Sequence, residues 1–296
     1  MMKGSVFDTI KGRIKRKEPL AKHTTFRIGG PAQFFIEPRG LKDLKALVAW
    51  ARIQKIPVLL MGRGSNILAS DRGVEAVVVK FNAPFFKKAS ISGNLLTVNS
   101  GLSLGRLVQL AKNHSLSGAE FLAGIPGTVG GALAMNAGAW GQALGNLVEK
   151  VKVMNYNGKI KVLNKKQIRF GYRKSSLAKY IILSARLRLH KKSKKEINGL
   201  IKRYLALRKN TQDSLAPNAG CIFRNPPGYT AGRLIDLCGL KGKESGGAVV
   251  SKRHANFILN LRSARCSDVL KLMNIMKKKV KRKFDINLEP EIRIWR

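Results

Sequence analysis

The run GIPGTVGGALAMNAGA at residues 124–139 constrains this chain more than any other stretch. It carries five glycines in sixteen residues and no charge, in a chain that is 25% charged. Each glycine inside a regular element costs roughly 0.5–1 kcal/mol relative to alanine. A fold that keeps five of them needs bare backbone there, for positive φ, for close approach of a flat or phosphorylated ligand, or for both. A second glycine turn, Met61-Gly62-Arg63-Gly64-Ser65-Asn66, follows the apolar run Val58-Leu59-Leu60. Two such loops point to a large nucleotide held along its length. GRGSN is not GxGxxG, and the chain has no GKS or GKT, so neither standard phosphate fingerprint applies. Two elaborate turns without a ligand remain the alternative on spacing alone.

The 296 residues suffice for two domains or one large one, and 44% hydrophobic content allows sizeable cores. No stretch of about 18 apolar residues exists, so no membrane span is expected. The N-terminal Met1–Asp8 lacks the apolar region of a secretory signal. Cys221, Cys238 and Cys266 form no CxxC pair. That odd count argues against a disulfide framework or a zinc site, for a reducing cytosol, and for no metal centre. Lys and Arg total 57 against 16 Asp and Glu, a net charge of +41. Nucleic-acid binding, polyanionic substrates and a genome biased toward lysine codons are the alternatives for that charge, which clusters at 191–195 and 277–283 with no zinc finger or RNP-type motif beside it. Specific nucleic-acid recognition is therefore not expected.

Periodicity gives mixed helices and strands. Residues 32–38 read as a strand, 41–54 as an amphipathic helix and 57–61 as a buried strand that ends in GRGSN. Residues 75–80 and 94–98 are strands, and 104–111 a helix. Strands at 148–156 and 160–163 flank the turn Asn157-Gly158. In 181–189, Ile181, Leu183, Ala185, Leu187 and Leu189 share one face. The charged segment 191–196 is a candidate domain boundary. Ile197, Leu200, Ile201, Tyr204 and Leu205 then form a helical stripe, followed by a loop at 211–220. A helix at 231–237, strands at 248–251 and 256–260, a long helix from Asp268 and a closing segment 289–295 complete the pattern.

Taken in order, the motifs resemble the UDP-N-acetylenolpyruvoylglucosamine reductase family. The matching pieces are TTFRIGGP at 24–31, GRGSN at 62–66, the 124–139 tract and FGYRKS at 170–175. NAGCIFRNP at 218–226, AGRLID at 231–236, HANF at 254–257 and EPEIR at 289–293 follow. The set spans about residues 20 to 294. The short spacing after FGYR resembles the family's shorter form, which lacks an extra substrate loop.

The resemblance implies an α+β fold. An FAD-binding domain of the vanillyl-alcohol-oxidase (PCMH) type, made of two subdomains split near 70–75, would occupy 1–192. An α+β substrate-binding domain would occupy 193–296, with 289–295 returning to the active site. It implies noncovalent FAD, NADPH as hydride source, a cytoplasmic protein and a role in peptidoglycan precursor synthesis and cell-wall biogenesis; a monomer is favoured. The cofactor positions carried over are Gly62, Arg63, Gly64, Ser65, Asn66, Gly124, Pro126, Gly127, Thr128, Gly130, Gly131, Ala132, Asn136 and Gly138.

The implied reaction moves a hydride from flavin N5 to C3 of an enolpyruvyl ether on UDP-N-acetylglucosamine and a proton to C2. Arg173 matches the arginine that steadies the developing enolate. Glu291 matches the carboxylate beside the substrate. Cys221 takes the proton donor's position, commonly serine in this family. Tyr172, Arg224, Asn225, Lys241 and His254 match substrate contacts. A different flavin oxidoreductase of the same fold, or a basic nonenzymatic binding protein, is the alternative.

Overall fold

The computed structural model describes residues 9–213 and 216–296. Met1–Asp8, the segment read as lacking a secretory signal, and Ser214 and Leu215 of the 211–220 loop lie outside the described residues. The chain forms two compact units, each discontinuous in sequence. The first comprises Met1–Arg16, Phe34–Gly62 and Glu75–Leu207; the second comprises Lys17–Gln33, Arg63–Val74 and Arg208–Arg296.

In the first unit, helix α1 (Leu41–Ile53) buries Leu44, Leu47, Val48 and Ala51, the stripe that a 3.6-residue period places on one face. Asp43 accepts a hydrogen bond from the Arg39 amide (2.9 Å) at its start. The strand Val58–Met61 follows α1 and pairs parallel with residues 77–80. Val77 and Val79 join the α1 stripe, Phe86, Ile181 and Leu183 in one core. A five-stranded antiparallel sheet follows, in the order Ile160–Asn164, Val148–Met154, Ile181–Arg188, Leu95–Asn99, Ala89–Ser92. Its core draws Leu104, Leu107, Val108 and Ala111 from α2 (Leu104–Asn113) and Val129 and Leu133 from α3 (Val129–Met135). The Ser103 hydroxyl caps α2 by accepting from the Arg106 amide (3.2 Å). In helix α4 (Lys194–Thr211) Ile197 is buried, Leu200, Ile201 and Tyr204 are half-buried and Leu205 is 44% exposed, so the expected stripe is covered along its inner side only.

In the second unit, short strands Glu244–Ser245, Ala248–Val250 and Ile258–Asn260 form an antiparallel sheet. Helices α5 (Ala231–Leu237) and α6 (Cys266–Phe284) share its core with Phe26, Ile28, Leu68, Phe223 and Leu288. Helix α6 begins two residues before the expected Asp268. Asp71 makes this possible: its carboxylate accepts from the Cys266 (2.7 Å) and Ser267 (3.2 Å) amides, which a helix start leaves unsatisfied. Within 289–295 only Arg293–Trp295 is a strand, parallel to Ile67–Ala69.

Candidate active site

Strand Val58–Met61 delivers Gly62 against Thr128, the residue that opens α3. A Cβ placed on Gly62 would stand 2.6 Å from Thr128 Oγ1, well inside contact distance, so Gly62 meets the start of α3 at a point that admits no side chain. Thr128 Oγ1 also accepts from the Gly131 amide (3.5 Å). Gly130 donates its amide to the Ser100 carbonyl (2.8 Å), and a Cβ there would fall 2.9 Å from the Ser100 Cβ. Gly127 accepts the Leu104 amide (3.1 Å), and Ala132 is buried. Gly124, Pro126 and Gly131 stay exposed.

Asn136 ends α3 in the left-handed region (φ 46°), and both ends of its amide are committed within the unit. Its Nδ2 donates to the Gly171 carbonyl (3.0 Å), and its Oδ1 accepts from the Gly145 amide (2.9 Å).

These loops suit a large polar cofactor. Bare backbone lies where a side chain would intrude, and two buried polar atoms beside the tract, Glu120 Oε1 and Ser100 Oγ, have no hydrogen-bond partner in the protein. Sequence reasoning missed both residues. The available signal was that Glu120 is the one acid between Glu75 and Glu149.

Arg173 lies at the tip of a hairpin in which Phe170 pairs with Ser175 and Gly171 with Lys174. The Ser175 hydroxyl donates to the Leu133 carbonyl (2.7 Å) and so fastens the hairpin to the end of α3. Arg173 adopts φ 54°, a conformation that costs a non-glycine residue on the order of 1 kcal/mol. Its Nη1 donates to the Gly138 carbonyl (2.7 Å), and its guanidinium carbon lies 5.5 Å from the Tyr172 ring centroid. Tyr172 itself is exposed.

In the second unit Arg63 is exposed and Ser65 half-buried. Gly64 has φ 67°, and a Cβ there would meet the His23 carbonyl at 2.3 Å. Asn66 donates from Nδ2 to the Glu291 carbonyl (3.1 Å) and accepts the Arg293 amide (2.9 Å). The Glu291 amide donates to the Ile222 carbonyl (2.8 Å), one residue from the half-buried Cys221. Asn66, Cys221 and Glu291 thus meet on adjoining backbones, although 225 residues separate the first from the last. Asn256, not singled out from sequence, holds this arrangement. It is buried, its Nδ2 donates to the Phe223 carbonyl (2.8 Å) and its Oδ1 accepts the Phe223 amide (2.9 Å).

The remaining candidates have partners of their own. Asn225 Oδ1 caps α5 by accepting the Ala231 amide (3.0 Å). Arg224 pairs with Glu289 (3.4 Å), while its buried Nε makes no hydrogen bond. Lys241 pairs with Asp236 (2.6 Å). His254 accepts the Asn256 amide at Nδ1 (3.3 Å), which leaves the ring proton on Nε2. Burial, and then Lys241, hold its pKa below the usual histidine value. Its backbone amide donates to Ser251 Oγ (2.8 Å), and the Ser251 hydroxyl in turn donates to Asp213. The Cys266 thiol is buried, and that burial, then Asp71, pushes it up to about 11. Among the described residues no helix is long and apolar enough to cross a membrane, and no group of three His, Cys, Asp or Glu could hold a metal ion.

Residues 32–164 match a family model described as an FAD binding domain, and 210–295 match the C-terminal domain of UDP-N-acetylenolpyruvoylglucosamine reductase. The UDP-N-acetylenolpyruvoylglucosamine reductase of Caldanaerobacter subterraneus is 40% identical over 286 residues, covering 96% of this chain and 94% of that protein. The enzyme of the same name from Clostridioides difficile is 42% identical over 287 residues, covering 96% and 94%. The crystal structure of the reductase from Thermus caldophilus superposes with a TM-score of 0.84 at 37% identity, covering 96% of this chain and all of that one. Likeness along nearly the whole length leads to one assignment: this chain belongs to the UDP-N-acetylenolpyruvoylglucosamine reductase family of FAD-dependent oxidoreductases.

Proposed function

We propose that this protein reduces the enolpyruvyl ether of UDP-N-acetylglucosamine to UDP-N-acetylmuramate in the cytoplasm, with NADPH as electron source and noncovalent FAD as carrier. The observation that carries the reading is the contact of Gly62 with Thr128 within the first unit, in the stretch that matches the FAD-binding family model. The 62–66 and 124–138 loops would hold the cofactor, with Glu120 and Ser100 as nearby polar partners. When bound, FAD supplies the two-electron chemistry between NADPH and C3 of the enolpyruvyl group.

The protein's own residues supply orientation, charge and a proton. Reduction at C3 leaves negative charge at C2 and on the adjoining carboxylate. Arg173 meets that charge with a guanidinium that is always protonated and is aimed by its bond to the Gly138 carbonyl. Cys221 gives its thiol proton to C2, and the resulting thiolate takes a proton back before the next turnover. A thiol of reference pKa about 8.5 is a far better donor than a serine hydroxyl. Glu291, its backbone pinned by Asn66 and Ile222, serves the substrate carboxylate end and the proton traffic. Tyr172, Arg224, Asn225, Lys241 and His254 complete the substrate contacts; His254 would donate from Nε2.

The test compares wild type, Cys221→Ser and Cys221→Ala in a steady-state assay with the enolpyruvyl substrate. Cys221→Ser should retain turnover. Cys221→Ala should keep NADPH-dependent flavin reduction while kcat falls roughly 100-fold or more, the scale of a lost general acid. Full turnover in Cys221→Ala would remove Cys221 from the proton-donor role.

A further inference from the structure

The reaction leaves unused a surface cavity of about 350 Å³ in the first unit. Lys161 lines it from the edge strand Ile160–Asn164, and Lys179 from the turn Ser176–Lys179. Their ammonium groups lie 4.7 and 5.4 Å from the Tyr180 ring centroid. Arg169 adds a third cation, and Leu163 gives an apolar wall. From Phe121 to Lys195 the sequence holds a single acid, Glu149, and it is engaged by Arg186 (3.6 Å) and Arg188 (2.9 Å). The lining thus holds three cations and no carboxylate. Lys161, the larger influence, and Lys179 hold the Tyr180 hydroxyl below the ordinary phenol pKa, which makes it a better donor to an anion.

The cavity also lies at the root of the Arg173 hairpin. Arg169 donates its amide to Ser176 Oγ (3.0 Å), and the Ser176 amide donates to the Arg169 carbonyl (2.9 Å), closing the base of the loop that presents Tyr172 and Arg173.

We propose that this cavity is a binding site for a small phosphorylated anion. Arg169 offers a bidentate fork, the two lysines offer point charges and Tyr180 offers a hydroxyl, while the ring face and Leu163 suit an attached organic group. The volume lies at the lower end of small-ligand sites, which favours a single metabolite over a polymer.

The test is calorimetric titration of inorganic pyrophosphate into the full-length, FAD-loaded protein at a fixed ionic strength of about 0.15 M, where long-range attraction is largely screened. One saturable site is expected. Lys161→Ala with Lys179→Ala should weaken it at least tenfold, and Arg169→Gln alone by several-fold. A control pair that removes the same charge from α6, Lys277→Ala with Lys278→Ala, should leave the affinity unchanged. No saturable binding, binding at many sites, binding indifferent to the cavity variants, or equal weakening in the control would each overturn the proposal. Thermal unfolding of each variant, expected within a few degrees of wild type, checks that all are folded.

Discussion

Gly62 admits nothing larger than hydrogen, because Thr128 Oγ1 occupies the place a Cβ would take. Gly62→Ala should therefore shift the 128 turn and lower the flavin retained on purification by about half or more, read as visible absorbance relative to protein. An unchanged ratio would argue that the contact serves packing alone. His254 yields a prediction of opposite kind. Its folded pKa lies below its unfolded value near 6.5, so the stability it contributes is present above about pH 6.5 and is lost as pH falls through the depressed folded pKa. His254→Gln should flatten the decline of chemical-denaturation stability over that acid range, and an unaltered decline would contradict the assignment. Motif order singles out Cys221 and Glu291 as candidates, and the structure adds that they share a backbone neighbourhood through Ile222. Glu120 was not legible, since a lone carboxylate reads as a surface charge until burial is known.

Helices with a continuous apolar stripe were the most legible elements, as α1 and α2 show: the helical period accounts for all their buried apolar positions. Irregular features were not. The face shared by Ile181, Leu183, Ala185, Leu187 and Leu189 is broken by a bulge, where pairing slips between Lys152–Ser184 and Val153–Ile182. Ile182 therefore joins Ala185 and Leu187 in one core, while Ile181 and Leu183 enter another. The Asn157-Gly158 turn is likewise longer than a two-residue hairpin. Asn155 Oδ1 gathers the Asn157 (3.1 Å) and Lys159 (2.9 Å) amides, and Gly158 takes positive φ at 80°. The start of α6 depends on Asp71, nearly 200 residues earlier in the chain, a contact that no local window contains. Asp71→Ala should cost about 1–2 kcal/mol of folding stability, the value of a good helix cap, measured by chemical denaturation. A loss below a few tenths of a kcal/mol would show that water replaces the carboxylate.

At the scale of the molecule, two compact units interleave along the chain. Residues 17–33 and 63–74 belong with the C-terminal unit because Phe26, Ile28 and Leu68 enter its core. The sequence reading expects a boundary near 192, and the compact units change within α4, between Leu207 and Arg208. Short apolar pieces such as Phe26-Arg27-Ile28 give no periodic signal of which core they join, so this interleaving could not be read from pattern. The net charge of +41 far exceeds what a few anionic ligands require, and nothing in the fold explains the excess. The central claim is that electrons pass from NADPH through bound flavin to the enolpyruvyl ether. Anaerobic mixing tests it most directly. NADPH should bleach the flavin in a single phase, and later addition of the enolpyruvyl substrate should restore its colour as one equivalent of lactyl ether forms. A flavin that NADPH leaves oxidised, or one that stays bleached when substrate is added, would contradict the account.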